Sequence, residues 1–211
     1  MPETKYSIAV LISGNGSNLQ ALIDASHLGN YTIGLVISNK SDAYGLERAR
    51  RANIATQVID HREYANREDF DAALMAVLDA ERPQLIVLAG FMRILSSAFV
   101  QHYQGLILNI HPSLLPKYPG TNTHQRAIDA GETEHGVSVH FVTEELDGGP
   151  VIAQEPVPVL PQDTARELAA RVAAQEHVLY PRVVTWFAAG RLVMRDQRAW
   201  LDDRLLPPSG A

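Results

Sequence analysis

Three short groups of residues have types and spacings that could support chemistry, and the first is a glycine-rich loop. Residues 13–18 read Ser-Gly-Asn-Gly-Ser-Asn and join an apolar run to an amphipathic one. Glycines allow a tight turn, and the N–H groups at a helix start attract an anion such as phosphate. Leu19 replaces the third glycine of the dinucleotide motif, and no Gly-Lys-Ser/Thr follows. We therefore expect a phosphate site; the alternative is a turn, capped by Asn18, that binds nothing.

The second group lies where a predicted strand ends, in the run Asn-Ile-His-Pro that begins at Asn109. Asn109 and His111 are two residues apart, so both side chains leave the same face of an extended segment. Pro112 favours an extended conformation at His111 and ends the strand. An amide donor beside an imidazole is suited to stabilising an oxyanion and moving a proton. The alternative is a strand-terminal histidine that only hydrogen-bonds a carbonyl.

The third group is the run Asp147-Gly148-Gly149-Pro150, which follows a further predicted strand. Two glycines allow an unusual turn that could aim the Asp147 carboxylate into a cleft. A carboxylate near an imidazole favours the protonated ring and fixes its orientation. The alternative is an ordinary turn aspartate, and His140 on the preceding strand is either a further neighbour or a packed residue.

The composition excludes several other chemistries. The 211 residues contain no cysteine, which excludes a disulfide scaffold, a Cys-ligated zinc site and a thiolate nucleophile. The net charge of -6 argues against nucleic-acid binding, and no metal-binding motif such as His-Glu-x-x-His is present. The lack of a signal peptide and of an apolar run long enough to span a bilayer predicts a cytoplasmic protein. Arg48, Arg50 and Arg51 are expected to form a solvated helix face.

Short apolar runs alternate with amphipathic stretches, which predicts the elements that position these groups. Strands are expected at Tyr6–Ile12, Thr32–Ser38, Thr56–Ile59, Leu85–Ala89 and Leu106–Ile110, and helices at Asn18–Ser26, Gly45–Ala52, Arg67–Asp79 and Ser96–His102. This alternation implies right-handed crossovers and an α/β fold, a doubly wound, mostly parallel sheet in a single domain, residues 1–211. Further on, the pattern predicts a helix at Thr123–Ala130, strands at Val137–Val142 and Val151–Val159, and a small apolar element over residues 192–201. A long helix should start near Thr164, and Pro181 should kink it or begin a new one.

With these motifs in order, the sequence resembles the glycinamide ribonucleotide formyltransferases, a folate-dependent family of purine biosynthesis with a Rossmann-like formyltransferase fold. The stretches that carry the resemblance are Ile12–Ala21, Leu88–Leu95, Asn109–Gly120, Glu134–His140, Leu146–Val151 and Gln175–His177. The run Asn-x-His-Pro-Ser-Leu-Leu-Pro with the later Asp-Gly-Gly is typical of enzymes that use formyltetrahydrofolate. The Gly-Asn-Gly-Ser-Asn loop narrows the resemblance to this family.

The resemblance implies a reaction and a set of site residues. The formyl group of 10-formyltetrahydrofolate would pass to the amine of glycinamide ribonucleotide, without a metal. Residues 1–105 would form the half that binds the ribonucleotide phosphate, and residues 106–211 the catalytic and folate-binding half with the C-terminal helix. The ribonucleotide would be bound by Gly16, Ser17, Asn18, Gln175 and Glu176. The folate would be bound by Arg67, Met92, Arg93, Ile94, Leu95, Asn109, Thr143, Glu144, Glu145, Leu146 and Asp147. Asn109, His111 and Asp147 would be the catalytic residues.

Other functions stay open at this stage. A formyltetrahydrofolate deformylase or a methionyl-tRNA formyltransferase would share the Asn-x-His and Asp pattern, but we expect an additional domain in either. A non-catalytic protein that binds a folate or a nucleotide would keep the phosphate loop without needing the three catalytic residues. The expected partners are small molecules, with no nucleic acid and no membrane, and the chain is expected to be a monomer or a weak homodimer. Asn122, where some relatives carry a histidine, is assigned no role, and the Leu115–Pro116 bond is expected to be cis.

Overall fold

The elements are those of a computed structural model, which describes residues 5–207. The strands are β1 (Tyr6–Ile12), β2 (Tyr31–Ser38), β3 (Ala55–Val58), β4 (Leu85–Leu88), β5 (Ile107–His111), β6 (Glu134–Phe141), β7 (Val151–Pro158), β8 (Leu192–Arg195), β9 (Arg198–Leu201) and β10 (Arg204–Leu205). The helices are α1 (Ser17–Ala25), α2 (Tyr44–Arg51), α3 (Arg67–Glu81), α4 (Ser97–His102), α5 (Thr123–Asp129) and α6 (Ala165–Ala188), with a short 3₁₀ helix at His61–Glu63. Each strand and helix that the sequence predicts is present, with ends displaced by a few residues at most.

The main sheet has the strand order β3-β2-β1-β4-β5-β6-β7. The strand β1 pairs in parallel with both β2 and β4, and β2 pairs in parallel with β3, whereas β6 and β7 pair antiparallel. A small antiparallel sheet, β10-β9-β8, forms from the apolar element near the C-terminus. The predicted fold class, an α/β fold with a doubly wound and mostly parallel sheet in a single domain, is confirmed.

The chain forms two compact units that divide between Leu108 and Asn109. In the first unit β4 lies beside β1, and every residue of β4 is buried. A strand buried on both faces is continuously apolar, which explains why Leu85–Leu88 shows no alternation. Because β1 and β4 are parallel, the segments that follow them leave from the same edge of the sheet. The first unit therefore places residues 13–18 and residues 89–95 at one edge.

In the second unit β6 is buried except for its first residue, and α6 packs against it. The helix begins with the predicted capping box. The Thr164 hydroxyl accepts a hydrogen bond from the backbone N–H of Glu167, and the Glu167 carboxylate accepts one from the backbone N–H of Thr164. Pro181 lies inside α6 and does not begin a new helix. A proline inside a helix costs about 3 kcal/mol. Its neighbours Leu179 and Val183 are fully buried, and this apolar packing outweighs the cost.

The loop between β5 and α5 has an unusual backbone. The Leu115–Pro116 peptide bond is cis, which confirms the sequence prediction. Asn122 immediately precedes α5 with a φ of 57° and makes no side-chain hydrogen bond to cap the helix.

Between residues 5 and 207 no helix combines the length and the apolar character that crossing a bilayer requires.

Candidate active site

The glycine-rich loop connects β1 to α1 in the first unit. Gly16 has a φ of 74° and immediately precedes Ser17, the first residue of α1. Asn18 therefore lies inside the first turn and does not cap the helix. A Cβ on Gly16 would lie 2.6 Å from the Cα of Gly45, so both the φ and this close approach require glycine. The first N–H groups of any helix have no partner inside it, which makes the start of α1 suited to an anion.

One arginine of α2 contacts this loop. Arg48 donates from Nε to the Asn15 carbonyl oxygen at 2.9 Å and from Nη2 to Asn15 Oδ1 at 3.0 Å. The expectation that three arginines form a solvated face is therefore wrong for Arg48, whereas Arg50 and Arg51 are exposed. The sequence places all three on one short helix, but helical periodicity alone does not show which of them contacts a neighbouring loop.

A buried polar network joins the first residue of the loop to the segment after β4. Ser13 Oγ accepts a hydrogen bond from the backbone N–H of Met92 at 2.8 Å and donates to Asn39 Oδ1 at 2.6 Å. Asn39 is 1% exposed, and its Nδ2 lies 3.1 Å from His61 Nδ1. The phosphate loop and the predicted folate segment, residues 92–95, are thus connected through the hydroxyl of Ser13.

The remaining first-unit residues predicted to bind folate lie near the surface. Arg93 is exposed and Leu95 is half-buried, while the apolar side chains of Met92 and Ile94 are 64% and 52% exposed. Two such side chains within three residues form a small apolar surface that a flat, partly apolar ligand could cover. Arg67 is the first residue of α3 and is exposed, so its guanidinium is accessible to an anionic group.

In the second unit His111 ends β5 and has an acceptor facing each ring nitrogen. The residue is 5% exposed; its Nε2 lies 2.8 Å from the Tyr118 carbonyl oxygen, and its Nδ1 lies 3.5 Å from Asp147 Oδ2. A carbonyl oxygen can only accept, so Nε2 carries a hydrogen and donates it. An imidazole with an acceptor at each nitrogen suits the doubly protonated cation, which can stabilise an oxyanion or release a proton.

The turn after β6 aims the carboxylate of Asp147 at this histidine. Asp147 has a φ of 52°, a left-handed conformation that aspartate adopts more readily than most residues. Its Oδ2 also accepts from the backbone N–H of Gly120 at 2.8 Å. Gly149 approaches the end of β6 so closely that a Cβ would lie 1.8 Å from the Phe141 carbonyl oxygen. Glycine at this position lets the backbone fold against β6, and the carboxylate is held as a result.

A second buried histidine, His140 of β6, contacts the third predicted catalytic residue. Its Nδ1 donates to the Phe141 carbonyl oxygen at 2.8 Å, and its Nε2 lies 3.2 Å from Asn109 Nδ2. Burial lowers the pKa of His140, so the ring is neutral and Nε2 accepts from the Asn109 amide. Asp147 Oδ1 lies 3.8 Å from the same nitrogen. His140 is therefore both a packed residue and a neighbour of the cluster, the two possibilities that the sequence left open.

The other predicted residues of the second unit lie on one turn and one helix. Thr143 is half-buried, and Glu144, Glu145 and Leu146 are exposed in the segment that leads to Asp147. Gln175 and Glu176 are adjacent and half-buried on α6. All six side chains are at least partly accessible to a ligand.

Several contacts of the site involve backbone groups whose positions the sequence does not predict. The carbonyl oxygen of Tyr118 and the N–H of Gly120 are backbone atoms, which every residue has. Their positions follow from the path of the loop after β5, and residue type does not encode that path. The sequence left His140 open as a neighbour of Asp147, but it gave no sign that His140 contacts Asn109.

Comparisons with known proteins find a matching family model and named relatives. A family model described as formyl transferase matches residues 6–184. The chain is 57% identical over 206 residues to the phosphoribosylglycinamide formyltransferase of Escherichia coli (strain K12), covering 97% of each chain. It is 52% identical over 205 residues to the protein of the same name from Haemophilus influenzae, covering 96% of this chain and 97% of the relative.

Solved structures of similarly named proteins match the fold of this chain. The phosphoribosylglycinamide formyltransferase of Coxiella burnetii, solved in complex with CHES, matches with a TM-score of 0.94 and 56% identity, covering 98% of each chain. Another match is a glycinamide ribonucleotide transformylase 1 from Symbiobacterium toebii, with a TM-score of 0.90, 44% identity, and coverage of 93% of this chain and 94% of that one. The resemblance that the motifs indicated is confirmed.

Proposed function

Because the chain belongs to the formyl transferase family, we propose that it transfers the formyl group of 10-formyltetrahydrofolate to the amine of glycinamide ribonucleotide, in purine biosynthesis. The observation that carries this proposal is the cluster in the second unit. There His111 faces the Asp147 carboxylate while His140 orients the Asn109 amide. Such a cluster provides an oxyanion donor, a cationic proton carrier and a counter-charge, the groups that acyl transfer to an amine requires.

The glycine-rich loop would hold the ribonucleotide phosphate. Gly16, Ser17 and Asn18 lie at the start of α1, where the N–H groups and the helix dipole favour a negative charge. The adjacent polar side chains of Gln175 and Glu176 on α6 would bind the ribose hydroxyls.

The folate would be bound by two segments, one arginine and Asn109. Residues 92–95 present the exposed apolar side chains of Met92 and Ile94, and residues 143–147 present backbone groups that could read the edge of the pterin. Arg67 would bind a carboxylate of the glutamyl tail, since a guanidinium pairs well with carboxylates.

In the proposed reaction the amine nitrogen attacks the formyl carbon, and the carbonyl electron pair moves to oxygen to give an oxyanion. Asn109 would donate one N–H of Nδ2 to this oxygen while its other N–H is directed to His140. Cationic His111 would stabilise the same charge. As the bond from carbon to N10 of the folate breaks, N10 receives a proton and the amine gives one up, with His111 as carrier. Because Nε2 lies 2.8 Å from the Tyr118 carbonyl oxygen whereas Nδ1 lies 3.5 Å from Asp147 Oδ2, a longer contact, we expect Nδ1 to exchange the proton.

Residues 1–105 would serve as the ribonucleotide-phosphate half and residues 106–211 as the catalytic and folate-binding half. We further propose that the reaction needs no metal, that it takes place in the cytoplasm, and that the partners are small molecules. A net charge of -6 supports the absence of a nucleic-acid partner. No membrane partner is proposed, and the chain is proposed to act as a monomer or a weak homodimer.

The test is to incubate the protein with 10-formyltetrahydrofolate and follow the folate absorbance with and without glycinamide ribonucleotide. The proposal predicts that deformylation depends on the ribonucleotide, and that each folate product is matched by one formyl group on the ribonucleotide. Formyl release to water without the ribonucleotide would identify a deformylase instead. Folate binding without any turnover would identify a binding protein. Asn109→Ala serves as the control, and we expect it to lower the rate about 10²–10³-fold, as loss of one oxyanion donor does.

A further inference from the structure

The guanidinium of Arg48 makes a set of contacts that the proposed reaction does not by itself explain. Besides the two hydrogen bonds to Asn15, Nη1 donates to Gln20 Oε1 at 3.3 Å. Three nitrogens of one side chain thus contact a loop backbone atom, a loop side chain and a residue of α1. The planar fork of arginine has the geometry for this, whereas a lysine ammonium is a single point charge.

Two neighbouring arginines of α2 make different contacts. Arg51 pairs with Glu47 at 2.9 Å and donates to the Tyr44 hydroxyl at 3.3 Å, and Arg50 lies 4.0 Å from Glu47. Both stay within their own helix and are exposed. The contact with the loop is therefore specific to Arg48, and the same helix provides a matched control of equal charge.

A second contact of α2 fixes the same part of the loop. The backbone N–H of Gly45 donates to the Gly14 carbonyl oxygen at 3.0 Å. A Cβ on Gly45 would lie 3.2 Å from the Cα of Gly16, so the first turn of α2 lies directly against the loop. The carbonyl oxygens of Gly14 and Asn15 are thus both held by α2, one through Gly45 and one through Arg48.

These two contacts determine where the loop N–H groups point. In a trans peptide bond the carbonyl of one residue and the N–H of the next point in opposite directions. Both peptide bonds here are trans. Since the Gly14 and Asn15 carbonyls point towards α2, the N–H groups of Asn15 and Gly16 point away from it. They lie beside the start of α1, where the phosphate is proposed to bind.

We infer that Arg48 is a positioning residue for the phosphate loop: it holds the Asn15 peptide and side chain so that the loop N–H groups are preset for the phosphate of the ribonucleotide. This inference rests on the proposed function of the loop. Without Arg48 the Asn15 carbonyl loses its donor, and the peptide between Asn15 and Gly16 is free to rotate. The phosphate would then bind a loop that must first be ordered, and the affinity falls by that ordering free energy.

The experiment compares Arg48→Ala and Arg48→Lys with Arg51→Ala in steady-state kinetics on the full chain. For Arg48→Ala we expect the KM for the ribonucleotide to rise about 10–100-fold, the effect of losing charge-assisted hydrogen bonds. Its kcat and its KM for the folate should change less than threefold. Inhibition by inorganic phosphate, competitive with the ribonucleotide, should weaken by the same factor as the KM. Arg51→Ala removes an equal charge from the same helix and should leave all four quantities within twofold of the unmodified protein.

Arg48→Lys separates positioning from charge alone. A lysine keeps the charge but cannot hold two atoms of Asn15. We therefore expect the logarithm of the ribonucleotide KM for Arg48→Lys to lie closer to that of Arg48→Ala than to that of the unmodified protein. Full recovery by lysine would overturn the positioning role, and so would an Arg48→Ala KM within twofold of the unmodified value. If Arg48→Ala does not fold, as judged by circular dichroism, Arg48→Lys alone decides, and an unchanged KM refutes the inference.

The proposed function of the loop fails in a distinguishable way. In that case the unmodified protein would show no saturable dependence on the ribonucleotide and no competitive inhibition by inorganic phosphate. If the unmodified protein shows both, and Arg48→Ala shows them with unchanged constants, the loop binds phosphate and only the role of Arg48 is wrong.

Discussion

The contact between His140 and Asn109 can be tested by replacing the imidazole with an aliphatic side chain of similar bulk. His140→Leu removes the acceptor of one Asn109 N–H and leaves the Phe141 carbonyl without its donor. One buried unsatisfied polar group costs about 1–3 kcal/mol. At about 2–4 °C per kcal/mol for a chain of this size, the Tm should fall by about 2–12 °C.

In free-energy terms the effect on kcat should be similar in size to this loss of stability. Removing an oxyanion donor altogether costs about 10²–10³ in kcat. In His140→Leu the Asn109 amide remains but is free to rotate, so we expect a kcat loss of about 10–100-fold, equivalent to about 1.4–2.7 kcal/mol. The KM for the ribonucleotide should stay within threefold, because the ribonucleotide is proposed to be bound by other residues, at the start of α1 and on α6.

A double-mutant cycle shows whether His140 acts through Asn109. Steady-state kcat would be measured for Asn109→Ala, for His140→Leu and for the double variant. If the imidazole only orients the amide, the double variant should be no slower than Asn109→Ala, since the group to be oriented is already absent. A double variant slower by the product of the two single losses would show that His140 contributes independently, and the positioning role would be wrong.

Three further predictions concern stability and the polar network. Gly149→Ala should lower the Tm by about 6–12 °C, the upper range of overpacking at about 3 kcal/mol, since its Cβ would meet a backbone oxygen at 1.8 Å. Gly14→Ala, whose Cβ meets nothing within 4 Å, is the control and should leave the Tm nearly unchanged. Ser13→Ala removes the acceptor of a backbone N–H and the donor to a buried amide, so the KM for folate and the KM for the ribonucleotide should both rise several-fold in steady-state kinetics. Burial and a neighbouring imidazole lower the pKa of His135 from 6.5 to about 4, so between these pH values the unfolded chain binds a proton that the folded chain does not. Thermal melts should therefore show the Tm falling as the pH drops from 6.5 to about 4. His135→Leu should make the Tm less dependent on pH in this range.

The sequence was sufficient for features in which residue type and spacing encode the structure. The apolar run Leu85–Leu88 predicts a strand buried on both faces because a doubly covered parallel strand has no polar face. The pair Thr164 and Glu167 predicts a helix start because each side chain satisfies a backbone N–H of the other residue. Asn109 and His111 could be placed at the end of one strand for a similar local reason.

The sequence was insufficient where the outcome depends on packing between elements. Helical spacing does not distinguish Arg48 from Arg51, because what differs is the loop that lies against one of them. Pro181 is a helix breaker by local preference, and only the buried residues around it explain why α6 continues. The backbone contacts to His111 and Asp147 depend on the path of a loop that no residue pattern describes.

Ser13 and Arg48 act on the same loop but should have different kinetic consequences. The Ser13 hydroxyl contacts the backbone N–H of Met92, so it belongs to the phosphate loop and to the predicted folate segment at once. The Arg48 guanidinium contacts Asn15 in the phosphate loop and Gln20 in α1. A change at Ser13 should therefore raise the KM of both substrates, whereas a change at Arg48 should raise only that of the ribonucleotide. This difference follows from the contacts, because the Ser13 hydroxyl joins the two segments whereas the Arg48 guanidinium contacts residues of the phosphate loop and α1.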